Sequence, residues 1–239
     1  GYQGGYSCVY PIKVNQERQV CEAIRDFGAQ LGFGLEVGSK PELIAGLSLT
    51  QGFNGMPLVC NGFKDEEYIE TVVLAAKMGR AIYPVVEQAH ELRLIAASAR
   101  AHDTLPDFGI RAKLAAPGVG RWAGSSGIRG KFGLTVGEIL HAVEYLREAD
   151  LLGGLKMLHC HVGSQIFDIR MVKYVVSELA HLYVELVRAG DADFRAVDLQ
   201  MPERRPQPLQ RRQPGVGHVG VAEIERLEFR QRAHVRHAL

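Results

Sequence analysis

A regular alternation of short apolar runs with longer runs of helical periodicity, over residues 1–199, constrains the fold more than any other feature. Short runs of β-branched and apolar residues predict strands, and apolar residues three to four apart predict amphipathic helices. The predicted strands are residues 8–13, 34–37, 57–61, 81–86, 108–112, 156–161 and 196–199. The predicted helices are residues 15–27, 40–48, 65–78, 88–101, 135–149 and 169–189. This alternation indicates an α/β fold whose parallel strands are joined by helical crossovers.

Two α/β architectures fit this pattern, an open doubly wound sheet and a (β/α)8 barrel of the TIM type. The strands begin roughly 23 to 48 residues apart, a spacing that suits the βαβ unit of either architecture. A complete barrel needs about 250 residues, and the seven strands predicted within residues 1–199 would leave it incomplete. An unclosed barrel has two exposed sheet edges, which is a liability for a folded protein.

Local signals support three of the helix starts. Pro41 lies in the first turn of its helix, where proline is favoured. Asp65 is placed as an N-cap. Thr135 and Glu138 have the spacing of a capping box.

Composition excludes several classes of protein. The chain has 239 residues and a net charge of +1, so no overall field favours nucleic acid or a membrane surface. We predict no nucleic-acid partner, no membrane span and no signal peptide. The four cysteines form no C-x-x-C pair, so we expect reduced, buried thiols and a cytoplasmic location. The missing initiator methionine predicts a fragment.

The composition changes abruptly after residue 199. Residues 200–239 contain eight arginines and no lysine, together with five glutamines and four prolines. We therefore divide the chain into a barrel domain at 1–199 and an Arg/Pro/Gln-rich tail at 200–239. The tail is interpreted as disordered or as an out-of-frame reading of the gene, and a genuine divergent end is the alternative.

Polar side chains at the carboxyl ends of strands are the candidate functional residues, because α/β folds build their sites there. They are Lys13, Glu36, Asn61, Glu87, Arg111, His161, Ser164 and Asp198. Lys13 would be a nucleophile toward carbonyls in a desolvated pocket, or an ordinary lysine that reaches solvent. His159 and His161 share a strand face, yet no third metal ligand is evident, so we predict hydrogen-bonded core histidines and no metal site.

A glycine-rich segment at residues 124–133 lacks the spacing of a P-loop. It is interpreted as a surface loop, although loops of this length in compact α/β domains are often functional.

Six sequence blocks identify a family. They are VYPIKVNQ at 9–16, GLEVGSKPEL at 34–43, LVCNGFKD at 58–65, GIRAKL at 109–114, GKFGLT at 130–135 and LHCHVGSQ at 158–165. Together, and in this order, they resemble biosynthetic arginine decarboxylases. The resemblance implies an alanine-racemase-like (β/α)8 barrel that binds pyridoxal 5′-phosphate, here incomplete with about seven strands.

The resemblance also implies roles for individual residues. Lys13 would form the Schiff base with pyridoxal phosphate, and Glu36 would lie near it. His161 would stack on the ring, Arg111 would lie beside the ring hydroxyl, and Ser164 would contact the phosphate. Lys13 and His161 are accordingly the predicted catalytic residues.

The implied activity is decarboxylation of L-arginine to agmatine and CO2 in polyamine biosynthesis. The resemblance implies a homo-oligomer for the full-length protein and a requirement for Mg²⁺, for which no ligand set is visible. The alternatives are another basic amino-acid or diaminopimelate decarboxylase of the same fold, and a truncated, inactive homologue. The family's glycine-rich phosphate loop does not follow Leu199, and this departure supports the inactive alternative.

Overall fold

The computed structural model describes residues 7–114, 130–162, 169–188 and 196–200. The strands are β1 Val9–Pro11, β2 Gly34–Val37, β3 Leu58–Cys60, β4 Ile82–Val86, β5 Phe108–Arg111, β6 Leu155–His161 and β7 Ala196–Gln200. The helices are α1 Arg18–Ala29, α2 Lys40–Leu49, α3 Glu66–Lys77, α4 Glu91–His102, α5 Val136–Glu148 and α6 Ile169–Arg188. Each predicted strand and helix is present.

The order of the strands decides between the two predicted architectures. All seven are parallel, and they are hydrogen-bonded in the order of the chain, from β1 to β7. A doubly wound sheet reverses its direction of winding at one point, whereas a barrel continues in one direction. The predicted incomplete barrel is confirmed.

The sheet curls around a small apolar cluster on its concave face. Val59 of β3, Val85 of β4 and Met157 of β6 pack together, with Val9 and Tyr83 against them. In a flat sheet, side chains three strands apart would stand about 14 Å from one another. A single cluster that includes both β3 and β6 is therefore favoured by the curvature of a barrel wall.

The convex face is covered by the helices in two larger clusters. Leu35, Val37 and Leu58 pack with residues of α2 and α3 in one cluster. Ile110 and Leu158 pack with residues of α4, α5 and α6 in the other. Strand residues therefore alternate between the helical layer and the barrel interior, as the period of two requires.

The three local signals predicted at helix starts are present in the structure. The Asp65 side chain accepts a hydrogen bond from the Tyr68 backbone N–H, and Pro41 lies at the start of α2. Thr135 and Glu138 form a complete capping box at the start of α5. None of the helices in the described part of the chain is both long and apolar enough to cross a membrane.

The first strand and the helix that follows it differ from their predicted boundaries. β1 ends at Pro11, and Lys13 lies in the 3-10 turn Ile12–Val14. Pro11 cannot donate a ladder hydrogen bond, which suits a strand with one neighbour in the described sheet. Helix α1 begins at Arg18, after Asn15 Oδ1 accepts a hydrogen bond from the Glu17 N–H.

Residues 201–239 lie outside the described residues, as do residues 124–129 of the glycine-rich segment. The division into a barrel domain and a tail stays a prediction.

Candidate active site

The barrel interior changes from apolar to polar toward the carboxyl ends of the strands. Two residues beyond Val59 the inward position is Asn61, and two residues beyond Val85 it is Glu87. The layer above the apolar cluster is formed by Glu36, Asn61, Glu87, Arg111 and His159. Because parallel strands end at the same rim, residues far apart in sequence meet in one site.

Lys13, Glu36 and Asn61 form one side of this layer. Lys13 Nζ lies 3.6 Å from Glu36 Oε2, and the lysine side chain is half-exposed while the glutamate is buried. Asn61 Nδ2 donates a hydrogen bond to Glu36 Oε1 over 3.1 Å. The structure therefore brings three of the predicted strand-end residues into contact.

The pKa of the buried Glu36 carboxyl is shifted from its ordinary value. Burial raises the pKa of its carboxyl above the ordinary value, although the Lys13 cation and the Asn61 amide oppose this effect. Glu36 Oε2 and Asn61 Oδ1 are buried and accept no hydrogen bond from the described residues. Buried acceptors are normally satisfied, so these two atoms indicate a place for a ligand that donates hydrogen bonds.

Glu87 is held at four points. Its carboxylate accepts hydrogen bonds from the Gly62 N–H over 2.9 Å at Oε1 and from Arg111 Nη1 over 2.7 Å at Oε2. Its backbone N–H donates to Glu91 Oε2, and its C=O accepts from the Gly133 N–H. Glu87 thus joins the loops that follow β3, β4 and β5.

The charge of Glu87 is retained despite its burial. Burial raises the pKa of Glu87, but the Arg111 and Lys64 cations and the Gly62 N–H outweigh that effect and lower it below the ordinary value. The guanidinium of Arg111 also lies 5.9 Å from the centre of the Phe132 ring. Arg111 is therefore fixed on the barrel rim as a cation.

Gly62 is required by the turn that presents its N–H to Glu87. Its φ is +77°, in the left-handed region. A Cβ atom at this position would lie 2.2 Å from the carbonyl oxygen of Gly38. Only glycine lets the loops after β2 and β3 approach this closely.

The two histidines of β6 have different positions. His159 is fully buried in the polar layer, whereas His161 is the last residue of the strand and is partly exposed. Within the described residues no three His, Cys, Asp or Glu side chains are grouped so that they could bind a metal ion. His161 is placed at the rim, where a ligand could reach it.

Sequence reasoning missed a buried ion pair beneath the site. Lys64 Nζ lies 3.4 Å from Glu91 Oε2, and both side chains are fully buried. In the sequence, Lys64 is one residue of the LVCNGFKD block, and Glu91 resembles any acidic residue in the first turn of a helix. No local pattern distinguishes these two residues from exposed ones.

Two predicted residues have no described side chain. Ser164 lies outside the described residues, and for Asp198 the structure gives the backbone of β7 and its register opposite His159. The predicted contact of Ser164 with a phosphate stays a prediction.

Comparison with known proteins identifies the family to which these features correspond. Residues 3–199 match the family described as the pyridoxal binding domain of pyridoxal-dependent decarboxylases. This range includes all of the polar layer described above.

Individual relatives carry a more specific name. A protein of Rhodopirellula baltica named biosynthetic arginine decarboxylase is 50% identical over 198 residues, which is 83% of this chain and 29% of that protein. The crystal structure of the biosynthetic arginine decarboxylase of Campylobacter jejuni superposes with a TM-score of 0.73 and 35% identity, covering 82% of this chain and 31% of that one.

A diaminopimelate decarboxylase of Helicobacter pylori shares the fold at 22% identity and a TM-score of 0.69, covering 82% of this chain and 48% of that one. The chain therefore spans about 30% of the length of the arginine decarboxylases it matches.

Proposed function

Since the chain belongs to the pyridoxal-dependent decarboxylase family, we propose that it forms the cofactor-binding part of an arginine decarboxylase. The reaction converts L-arginine and a proton to agmatine and CO2. The Cα–carboxylate bond breaks, CO2 leaves, and a proton replaces it on Cα. The observation that supports this proposal most is the 50% identity to a biosynthetic arginine decarboxylase over a range that includes the whole polar layer.

The chemical groups of the residues in the site fit those of pyridoxal phosphate. Lys13 offers an amine at the opening of the barrel, and Glu36 Oε2 and Asn61 Oδ1 offer two buried acceptors that the described residues leave unsatisfied. Arg111 offers a fixed cation. An aldehyde-bearing aromatic ring with hydroxyl and phosphate groups complements such a set.

When bound, pyridoxal phosphate supplies an electron sink for the carbanion that loss of CO2 leaves on the substrate. Lys13 would bind its aldehyde carbon, and Arg111 and His161 would hold its ring. Ser164 would hold its phosphate, as the resemblance implies.

Glu36 would donate a proton to the amine of Lys13 or accept one from it. Its raised pKa keeps the carboxyl protonated to a higher pH than that of an ordinary glutamate. Glu36 Oε2 lies 3.6 Å from Lys13 Nζ, so small movements allow a proton to pass between these two atoms. Asn61 keeps the carboxyl oriented through its hydrogen bond to Oε1.

Further parts of the proposal rest on the resemblance and, for the cytoplasmic location, on the cysteine pattern. We propose that agmatine enters polyamine biosynthesis, that the protein acts in the cytoplasm, and that the full-length protein is a homo-oligomer. A dependence on Mg²⁺ is tested by adding EDTA to the assay.

The first test is covalent capture of the cofactor. We expect the chain mixed with pyridoxal phosphate to develop the visible absorbance of a lysine-bound pyridoxal group, and borohydride to fix that group on the peptide that contains Lys13. Lys13→Ala should abolish both signals. Lys40→Ala is the matched control, since Lys40 is paired with Asp65 and Glu67 outside the polar layer. Equal labelling of the wild type and Lys13→Ala would overturn the cofactor assignment.

The second test concerns the substrate. The full-length protein that contains this chain should release CO2 from L-arginine and form agmatine. Faster turnover of diaminopimelate, lysine or ornithine than of L-arginine would show that arginine is not the preferred substrate. Cofactor capture without release of CO2 from any of these would support the inactive homologue.

A further inference from the structure

The buried ion pair between Lys64 and Glu91 has no part in the roles assigned above. Both side chains are fully buried behind the polar layer, between the loops that follow β3 and β4. A lysine and a glutamate are rarely buried completely unless they are paired. The role of the pair can be inferred from the other groups that Lys64 and Glu91 contact.

Each member of the pair binds backbone groups of the site. Lys64 Nζ donates hydrogen bonds to the carbonyl oxygens of Gly62 and Val85. Glu91 Oε1 accepts from the Lys64 N–H over 3.2 Å, and Glu91 Oε2 accepts from the Glu87 N–H over 2.9 Å. The pair thus holds the backbone of Gly62, which donates a hydrogen bond to the Glu87 carboxylate, and the backbone of Glu87 itself.

Stability alone does not account for such an arrangement. Removing two charges from water costs about as much as their attraction returns, so a buried ion pair often adds nothing to stability. Burial raises the pKa of Glu91, as expected for a carboxyl group that is removed from water. The main effect of the ion pair is to hold two loops in a fixed arrangement, because the pair makes five hydrogen bonds or ionic contacts there.

We propose that Lys64 and Glu91 are positioning residues that fix Glu87 and, through it, the guanidinium of Arg111. The chain of contacts is continuous, from Glu91 Oε2 to the Glu87 backbone and from Glu87 Oε2 to Arg111 Nη1 over 2.7 Å. The consequence for cofactor binding rests on the proposed function, in which Arg111 holds the ring.

The experiment replaces the pair by uncharged side chains of similar size, Lys64→Met with Glu91→Gln. The matched control makes the same changes at an exposed pair, Lys40→Met with Glu67→Gln. Phenylglyoxal then modifies arginines in each protein without cofactor, and peptide mass spectrometry gives the rate at each site. Arg25 is the internal reference, because its side chain is 18% exposed against 12% for Arg111 and it lies outside this network.

We expect Arg111 to react about tenfold faster in the Lys64/Glu91 variant, within the range for residues coupled in one hydrogen-bond network. Arg25 should react at its original rate, and the control variant should change neither arginine. An equal acceleration of Arg111 and Arg25 would show a general loosening of the fold and overturn the proposal, as would an unchanged rate at Arg111. If circular dichroism shows that the double variant is unfolded, Glu91→Gln alone is compared in the same way, since it leaves Lys64 bound to two carbonyls.

A second readout uses pyridoxal phosphate as the probe. The dissociation constant should rise about tenfold in the Lys64/Glu91 variant, but little when Glu87→Gln is already present, since coupled residues are non-additive. Additive effects would contradict the proposal. If the wild type takes up no pyridoxal phosphate, the proposed function fails, while the phenylglyoxal rates still decide the role of the pair.

Discussion

Glu87 Oε2 accepts a hydrogen bond from Arg111 Nη1 over 2.7 Å, and this contact joins the ends of β4 and β5 at the rim of the barrel. Both residues are largely buried, so water screens their interaction weakly. Because the other carboxylate oxygen binds the Gly62 N–H, Glu87 uses both oxygens to arrange neighbouring loops. The cation of the site therefore depends on a carboxylate placed behind it.

Replacing Glu87 by Gln tests this dependence. Glutamine has one acceptor oxygen and one donor group, so its NH2 would face either the Gly62 N–H or the Arg111 guanidinium. We expect a loss of about 1.5–3 kcal/mol in the free energy of unfolding, measured with urea, as for a hydrogen bond to a charged group. Glu185→Gln breaks the exposed pair with Arg188 and should leave the unfolding curve unchanged. An equal effect of the two substitutions would show that Glu87 and Arg111 do not form this contact in solution.

The secondary structure and the polar strand-end residues of this site could be predicted from the sequence, whereas the hydrogen-bond partners within the site could not. Strand ends, helix starts and the strand-end polar residues follow from periodicity and capping, which are local properties. The partners of Glu87 do not, because Gly62 lies in the loop after β3, Arg111 ends β5, and Gly133 lies in the loop just before α5. Only the parallel register of β3, β4 and β5 brings those loops together.

The Lys64–Glu91 pair was missed for a related reason. Each residue lies next to a helix start, where charged side chains are usually exposed. Their burial is a tertiary property, which results from the packing of α4 against α3 and the sheet. The family resemblance contained Lys64 within a matching block but assigned it no contact.

The two buried glutamates of the site should respond to pH in opposite ways. The pKa of Glu36 is raised above the ordinary 4.5, so the folded state holds the extra proton and wild-type stability falls as pH rises from about 4.5 through the raised pKa. Glu36→Gln removes this loss. Relative to the wild type, the variant should therefore gain stability as pH increases over that interval, measured by urea unfolding without cofactor.

Glu87 supplies the control for the sign of this effect. Its pKa is lowered, so its contribution to stability is present above 4.5 and is lost as pH falls through the lowered value. As pH falls, the Glu87→Gln variant should therefore recover stability relative to the wild type, whereas the Glu36→Gln variant should lose stability relative to the wild type. Parallel curves for Glu36→Gln and the wild type would show that Glu36 ionises as an ordinary carboxyl.

The turn at Gly62 allows backbone strain to be separated from close contact. Gly62 and Gly79 have the same φ of +77°, but a Cβ at Gly62 would lie 2.2 Å from Gly38 O, while a Cβ at Gly79 has no atom within 4 Å. Gly79→Ala should cost about 1–2 kcal/mol of unfolding free energy, which is the cost of a left-handed residue with a Cβ. Gly62→Ala should cost more, and it should also weaken the capture of pyridoxal phosphate at Lys13, because the Gly62 N–H that holds Glu87 must move. Equal losses for the two variants would mean that the loops after β2 and β3 can separate freely, and that the position of Glu87 does not depend on their contact.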